Sequence, residues 1–134
     1  MADALCKFLL EMLLKDSGMF KLIFYVPKEM TEKVKNDVFA TGAGRLGNYS
    51  HCSWQVEGLG QFRPNEGSMP RIGEIGKISQ VVENRVEMLC SIENIKEAIS
   101  ALKSSHPYEV PEIAEITINS INQSYLKWLI DSTI

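Results

Sequence analysis

The sequence contains no run of ~18 apolar residues, so no segment reads as a membrane span. Its apolar start, MADALCKFLLEMLLKDSG, is interrupted by Asp3, Lys7, Glu11 and Lys15. With no basic region ahead of it and no small-residue cleavage site, a signal peptide is not expected. Cysteine is scarce: Cys6, Cys52 and Cys90 are scattered, odd in number and without C-x-x-C spacing. That speaks against a disulfide framework and for a reducing compartment, read here as the cytoplasm. A basic excess is also missing. Lys and Arg total 14 against 17 Asp and Glu, a formal charge of −3, which argues against a nucleic-acid partner. No nucleophile-elbow motif occurs, and GAGRLG lacks the GK[ST] ending of a P-loop. Serines near His51 supply no convincing catalytic set, so the chain is read as not an enzyme.

What the sequence does have is glycine in one place. Eight of its nine glycines lie between Thr41 and Gly76. Glycine is costly in backbone entropy, so such density points to tight turns and bulges, or to close approach of a ligand or a neighbouring subunit. The regular elements fall on either side. Apolar residues make up 45% of 134, enough for one domain with a genuine core.

Residues 3–16 read as an amphipathic helix, with Leu5, Phe8, Leu9, Met12 and Leu13 on one stripe. It forms an extension over 1–18, packed on its own domain or on a partner subunit, ahead of a main domain over 19–134. Phe20–Val26 (FKLIFYV) predicts a strand buried on both faces, stopped by Pro27. Lys28–Ala40 predicts a helix. Tyr49–Glu57 (YSHCSWQVE) alternates as a strand, whereas Gly58–Gly76 has too many breaks for a confident element. A strand over Val81–Ser91, a helix over Ser91–Lys103, a strand over Glu112–Ile118 and a short helix over Tyr125–Ile134 complete the chain. The inner order β-α-β-β-α-β is the α+β, ferredoxin-like plan: a four-stranded antiparallel sheet with two helices on one face. The second sheet face, expected to be mostly apolar, predicts association, with the terminal helices as the alternative cover.

The stretch GAGRLGNYSHCSWQVEGLGQFRPNEGSMPRIGEIGKI, then VENRVEMLC and SSHPYEVPE, resembles the inserted domain of YqfO-type proteins, also labelled GTP cyclohydrolase 1 type 2 homologues. The ending HPYEVPEI followed by YLKWL is similar to that of the CutA divalent-cation-tolerance family. Both are PII-like. The resemblance implies a ferredoxin-like fold, a homo-oligomer with a trimer favoured, and a tendency to bind divalent cations, copper especially. The paired metal site of full-length YqfO-type proteins lies in flanking halves that this sequence does not contain.

Candidate chemistry comes from few residues. His106 and Glu109 of the tetrapeptide His106-Pro107-Tyr108-Glu109 offer nitrogen and oxygen to a metal such as copper or zinc, and His51 could join them across a subunit boundary. The alternative is a helix-terminating turn in which His106 caps carbonyls. Arg45, Arg63 and Arg71, with Glu66, lie among glycines and could cradle an anion or other small ligand; structural ion pairing explains the same residues. Two functions stay open: a non-catalytic oligomeric module that binds a divalent cation or small ligand between subunits, and a structural module that binds another protein.

Overall fold

The computed structural model describes residues 18–117, together with Ala4 and Asp131. The expected N-terminal helix over 3–16 and C-terminal helix over 125–134 lie, apart from Ala4 and Asp131, outside the described residues.

The elements follow from the apolar patterning. Strand β1 spans Met19–Pro27, and its alternate residues Leu22, Phe24 and Val26 are fully buried. Pro27 removes a backbone donor and ends the strand. A 3-10 turn over Lys28–Met30 leads into helix α1, Thr31–Phe39, which turns Val34, Val38 and Phe39 to the sheet. Strand β2 spans Trp54–Phe62 and strand β3 spans Ser79–Ser91. Helix α2, Ile95–Ser105, buries Ile95, Ala98 and Leu102. Strand β4 is Ile113–Thr117. The sheet order is β2-β3-β1-β4, every pair antiparallel. Val86, Met88 and Cys90 of β3 join the residues of β1, α1 and α2 in one core on the helical face. That core includes one buried polar contact. Asn84 Nδ2 donates to Thr31 Oγ1 at 2.9 Å, and Thr31 Oγ1 donates to the Pro27 carbonyl at 3.2 Å. The pair ties β3 to the start of α1 without leaving an unmet donor.

Three expectations need correction. First, β2 begins at Trp54 rather than Tyr49. Leu46 and Tyr49 form an isolated two-residue bridge, and His51 takes φ +57, a left-handed conformation that no strand continues through. Gly44 makes this compact turn possible. It sits at φ +77, and a Cβ there would lie 2.6 Å from the Phe39 ring and 3.0 Å from the Cys52 carbonyl. Second, the strand runs through Gly58 and Gly60 to Phe62, and β3 starts at Ser79, two residues before Val81. Third, the face away from the helices carries a band of charge among its apolar residues. Ile23 is buried there, and Trp54 and Val56 are exposed, but Lys21, Arg85 and Glu87 form a charged ladder across it. Glu87 pairs with Lys21 at 2.8 Å and with Arg85 at 2.9 Å.

The register places the hairpin clear of the core. Pro27, the last residue of β1, pairs with Glu83, while β2 and β3 continue pairing as far as Phe62 and Ser79. The last four residues of β3 on this side therefore have no β1 partner. Leu59 and Val82, opposite one another in this overhang, are 64% and 46% exposed.

Candidate functional site

The overhang and the turn after α2 meet to form a cleft. The 63–78 connection is folded on itself: Gly76 N–H donates to the Pro64 carbonyl at 2.7 Å, and Ser68 donates to the Asn65 carbonyl through both N–H and Oγ–H. Met69 N–H donates to Glu109 Oε2 at 3.1 Å, which fastens the connection to the 106–110 turn. Between them is a cavity of about 150 Å³ lined by Phe62, Pro64, Pro70, Ile72 and Tyr108, with Ser68, Arg71 and Glu109 as its polar groups. The Phe62 and Tyr108 rings stand 6.4 Å apart, tilted by 47°. The arrangement is a small apolar slot with a guanidinium and a carboxylate at hand, suited to binding and without a nucleophile-base pair among its lining residues.

His106 builds this turn. It is 6% exposed, at the C-terminal end of α2. Its Nε2–H donates to the Tyr25 carbonyl, and its Nδ1 accepts from Tyr108 N–H at 3.1 Å. The Tyr108 ring stacks beside it at 5.0 Å. Both ring nitrogens are thus committed to backbone, which leaves no lone pair for a metal in this arrangement. Burial pushes the imidazole pKa below its ordinary value, and the bond to Tyr25 offsets part of that shift. Burial also raises the Tyr108 phenol, helped by the negative charges of Glu83 and Glu29.

The other expected site residues are spread over the molecule. His51 is exposed, hydrogen-bonded to Ser50 Oγ at 3.0 Å and packed tilted against the Phe39 ring, 5.0 Å between ring centres. Its loop is anchored where Gly44 N–H meets the Leu89 carbonyl, opposite Lys21, whereas His106 is bonded to Tyr25. Four residues along β1 separate these anchor points, about 13 Å of strand. The two histidines are therefore held at opposite ends of the sheet within one chain. Among the described residues no group of three His, Cys, Asp or Glu is placed to hold a metal ion. Arg45 borders a groove of about 260 Å³ at the His51 end, with Lys21, Cys52, Trp54 and Glu87. Arg63 and Glu66 are exposed on the 63–78 connection at the other end, beside the cleft but not among its lining residues. Arg71 and Glu109 of the expected set line it. Phe62, Pro70 and Ile72 were not singled out as ligand contacts, because their apolar character gives no signal beyond packing until the hairpin is seen to leave the core.

Residues 75–132 match the model of CutA1, the CutA1 divalent ion tolerance protein. The chain is 45% identical over 91 residues to the GTP cyclohydrolase 1 type 2 homolog of Mycobacterium bovis, covering 68% of this chain and 24% of that protein. It spans about a quarter of the length of the curated relatives it matches. Among solved structures, a Bacillus cereus protein related to NIF3 superimposes with a TM-score of 0.66 at 29% identity, over 85% of this chain and 32% of that one. CutA from Xylella fastidiosa superimposes with a TM-score of 0.57 at 18% identity, over 82% of this chain and 92% of that one. The last likeness establishes the fold: α+β, with two helices on one face of an antiparallel sheet.

Proposed function

We propose that this chain, similar in its second half to the CutA1 family and over most of its length to part of the GTP cyclohydrolase 1 type 2 homologs, is a non-catalytic oligomeric binding module. It takes a small ligand in the cleft between the 63–78 connection and the 106–110 turn, at the boundary between copies. The observation that carries this reading is the position of that cleft. It lies on the hairpin overhang, next to the β2 edge of the sheet, which has no neighbouring strand among the described residues. Strand β2 forms that edge over nine residues, with Trp54 60% exposed and Leu59 64% exposed. A long, exposed edge strand with large apolar side chains is a template for pairing with another chain. A neighbouring copy that paired there would come up against the cleft and close its open side. A trimer is the expected assembly.

A divalent cation is the second reading, favoured by the name of the family matched over residues 75–132. Since no trio of donors is gathered among the described residues, such an ion would need ligands from two copies. The alternative role is a structural module that docks on another protein.

The test is calorimetric titration of the full chain with copper, zinc, ATP and a panel of small carboxylates. Saturable binding of one probe, weakened by Arg71→Ala or Glu109→Gln, supports the reading. Absence of saturable binding by every probe contradicts it and leaves the protein-docking role, which retention of a flanking-domain homologue at fixed stoichiometry would then support.

A further inference from the structure

A second recess lies across the sheet from the helices. On β2, Gly58 pairs with Glu83 and Gly60 with Val81, so two residues without side chains lie across from Glu83 on its face of the sheet. A Cβ at Gly60 would overlap that carboxylate. The missing side chains leave two cavities that meet at Glu83. One, about 230 Å³, is bordered by Tyr25, Gly58 and Arg85; the other, about 90 Å³, by Tyr108 and Glu112.

The polar groups here are unmatched on both sides. Glu83 is half-buried and has no ion pair among the described residues, because the nearby cations are engaged elsewhere: Lys21 and Arg85 with Glu87, Lys28 with Glu57. Its burial, with the charge of Glu112, holds its carboxyl above the ordinary pKa. Conversely, two buried side-chain donors lack a hydrogen-bond partner among the described residues, Arg85 Nε and Tyr108 Oη. Each borders one of these two cavities. Unpaired buried donors and an unpaired carboxylate are both costly, and their coincidence in one recess points to a ligand carrying the complementary groups.

A metal ion does not complement the set: Arg85 would repel it, and the donors Arg85 Nε–H and Tyr108 O–H need an acceptor. A ligand with a cation at one end and an acceptor at the other does. Glu83 and Arg85 are two residues apart on one strand and so share a face, their backbones ~6.6 Å apart, and both border the larger cavity. A small zwitterion held in that cavity meets both. We propose that this recess binds an α-amino-acid zwitterion, its ammonium on Glu83 and its carboxylate on Arg85 Nε–H, with a short polar side chain accepting from Tyr108. The Tyr25 ring, 6.0 Å from the guanidinium carbon, backs Arg85 in that position. This goes beyond the cleft reading: the recess shares Phe62 and Tyr108 with the cleft but takes its charged groups from β3, where the cleft takes its own from the 63–78 connection and Glu109.

Calorimetric titration of the full chain in its solution assembly tests it. L-serine and glycine should bind saturably, and acetate and ethylamine, each carrying half of the pattern, at least tenfold more weakly. Glu83→Gln should weaken L-serine at least tenfold. So should Gly58→Val, which fills the recess from a position with open space around it. Circular dichroism identifies which variants are folded; should one fail to fold, the other decides. Arg71→Ala, which reads the cleft, should leave L-serine binding unchanged. No saturation with either amino acid, acetate binding as tightly as glycine, or parental affinity in a folded Glu83→Gln or Gly58→Val variant would overturn the proposal.

Discussion

Replacing His106 by alanine removes a ring whose two nitrogens hold the 106–110 turn against β1. The change strips the Tyr25 carbonyl and the Tyr108 N–H of their partners. Each buried group left unmatched costs about 1–3 kcal/mol, so two give about 2–6 kcal/mol, with the lower part of that range expected because the Tyr108 N–H gains access to water. A loss of this size is a large fraction of the stability of a small domain, of order 5–15 kcal/mol. The same residue makes a pH prediction of definite sign. The unfolded imidazole takes up a proton near its ordinary pKa of 6.5, while the buried one resists protonation until a lower pH. Above pH 6.5 both states are neutral and the full stability is present. As pH falls from 6.5 toward the lowered folded value, the unfolded state binds more protons and stability declines, by up to ~1.4 kcal/mol per pH unit. Urea unfolding at pH 7.5, 6.5 and 5.5, at fixed protein concentration and followed by circular dichroism, measures this for the parent and for His106→Ala. Subtracting one curve from the other removes the contribution of distant groups. The parent should lose its advantage over the variant as the pH drops. Parallel pH profiles, or an advantage that grows on acidification, would refute the assignment of His106 as a buried neutral ring.

Three further outcomes follow from other contacts. Thr31→Val leaves the Asn84 amide buried without its acceptor and should cost about 1–3 kcal/mol in urea unfolding, with Thr31→Val/Asn84→Leu recovering part of the loss. Leu102→Ala, at a fully buried position of the core, should cost about 2–5 kcal/mol by the same assay. Glu83→Gln should stabilise the chain at neutral pH. The folded carboxyl has a raised pKa, so the parent loses stability as pH rises from about 4.5 through the folded value. Glutamine abolishes that loss, and thermal unfolding at pH 7 that shows a lower midpoint for the variant would contradict it.

The fold was largely legible because its core elements obey simple periods. FKLIFYV alternates against the helices, and Ile95, Ala98, Ile99 and Leu102 mark one face of α2. β2 was harder to place. Glycines at 58 and 60 carry none of the side-chain pattern by which strands are recognised, and the turn at His51 depends on a φ that no residue type announces. The site was less legible still. His106 and Glu109 attracted notice as ligand types, yet one is spent on backbone and the other fastens a loop. What sets Glu83 apart is the pair of glycines opposite it, a cross-strand relation that only the register reveals. The alternation of Glu83, Arg85 and Glu87 on a half-buried strand was the available signal.

Association through the exposed edge of β2 underlies the proposed function. Multi-angle light scattering on the full chain, of 15.1 kDa, measures it directly, alongside a Val56→Lys variant that places a charge on that edge. The prediction is an assembly of three times the chain mass for the parent, shifted to smaller species in the variant. A mass of one chain at all concentrations, the same with and without Val56→Lys, would contradict it.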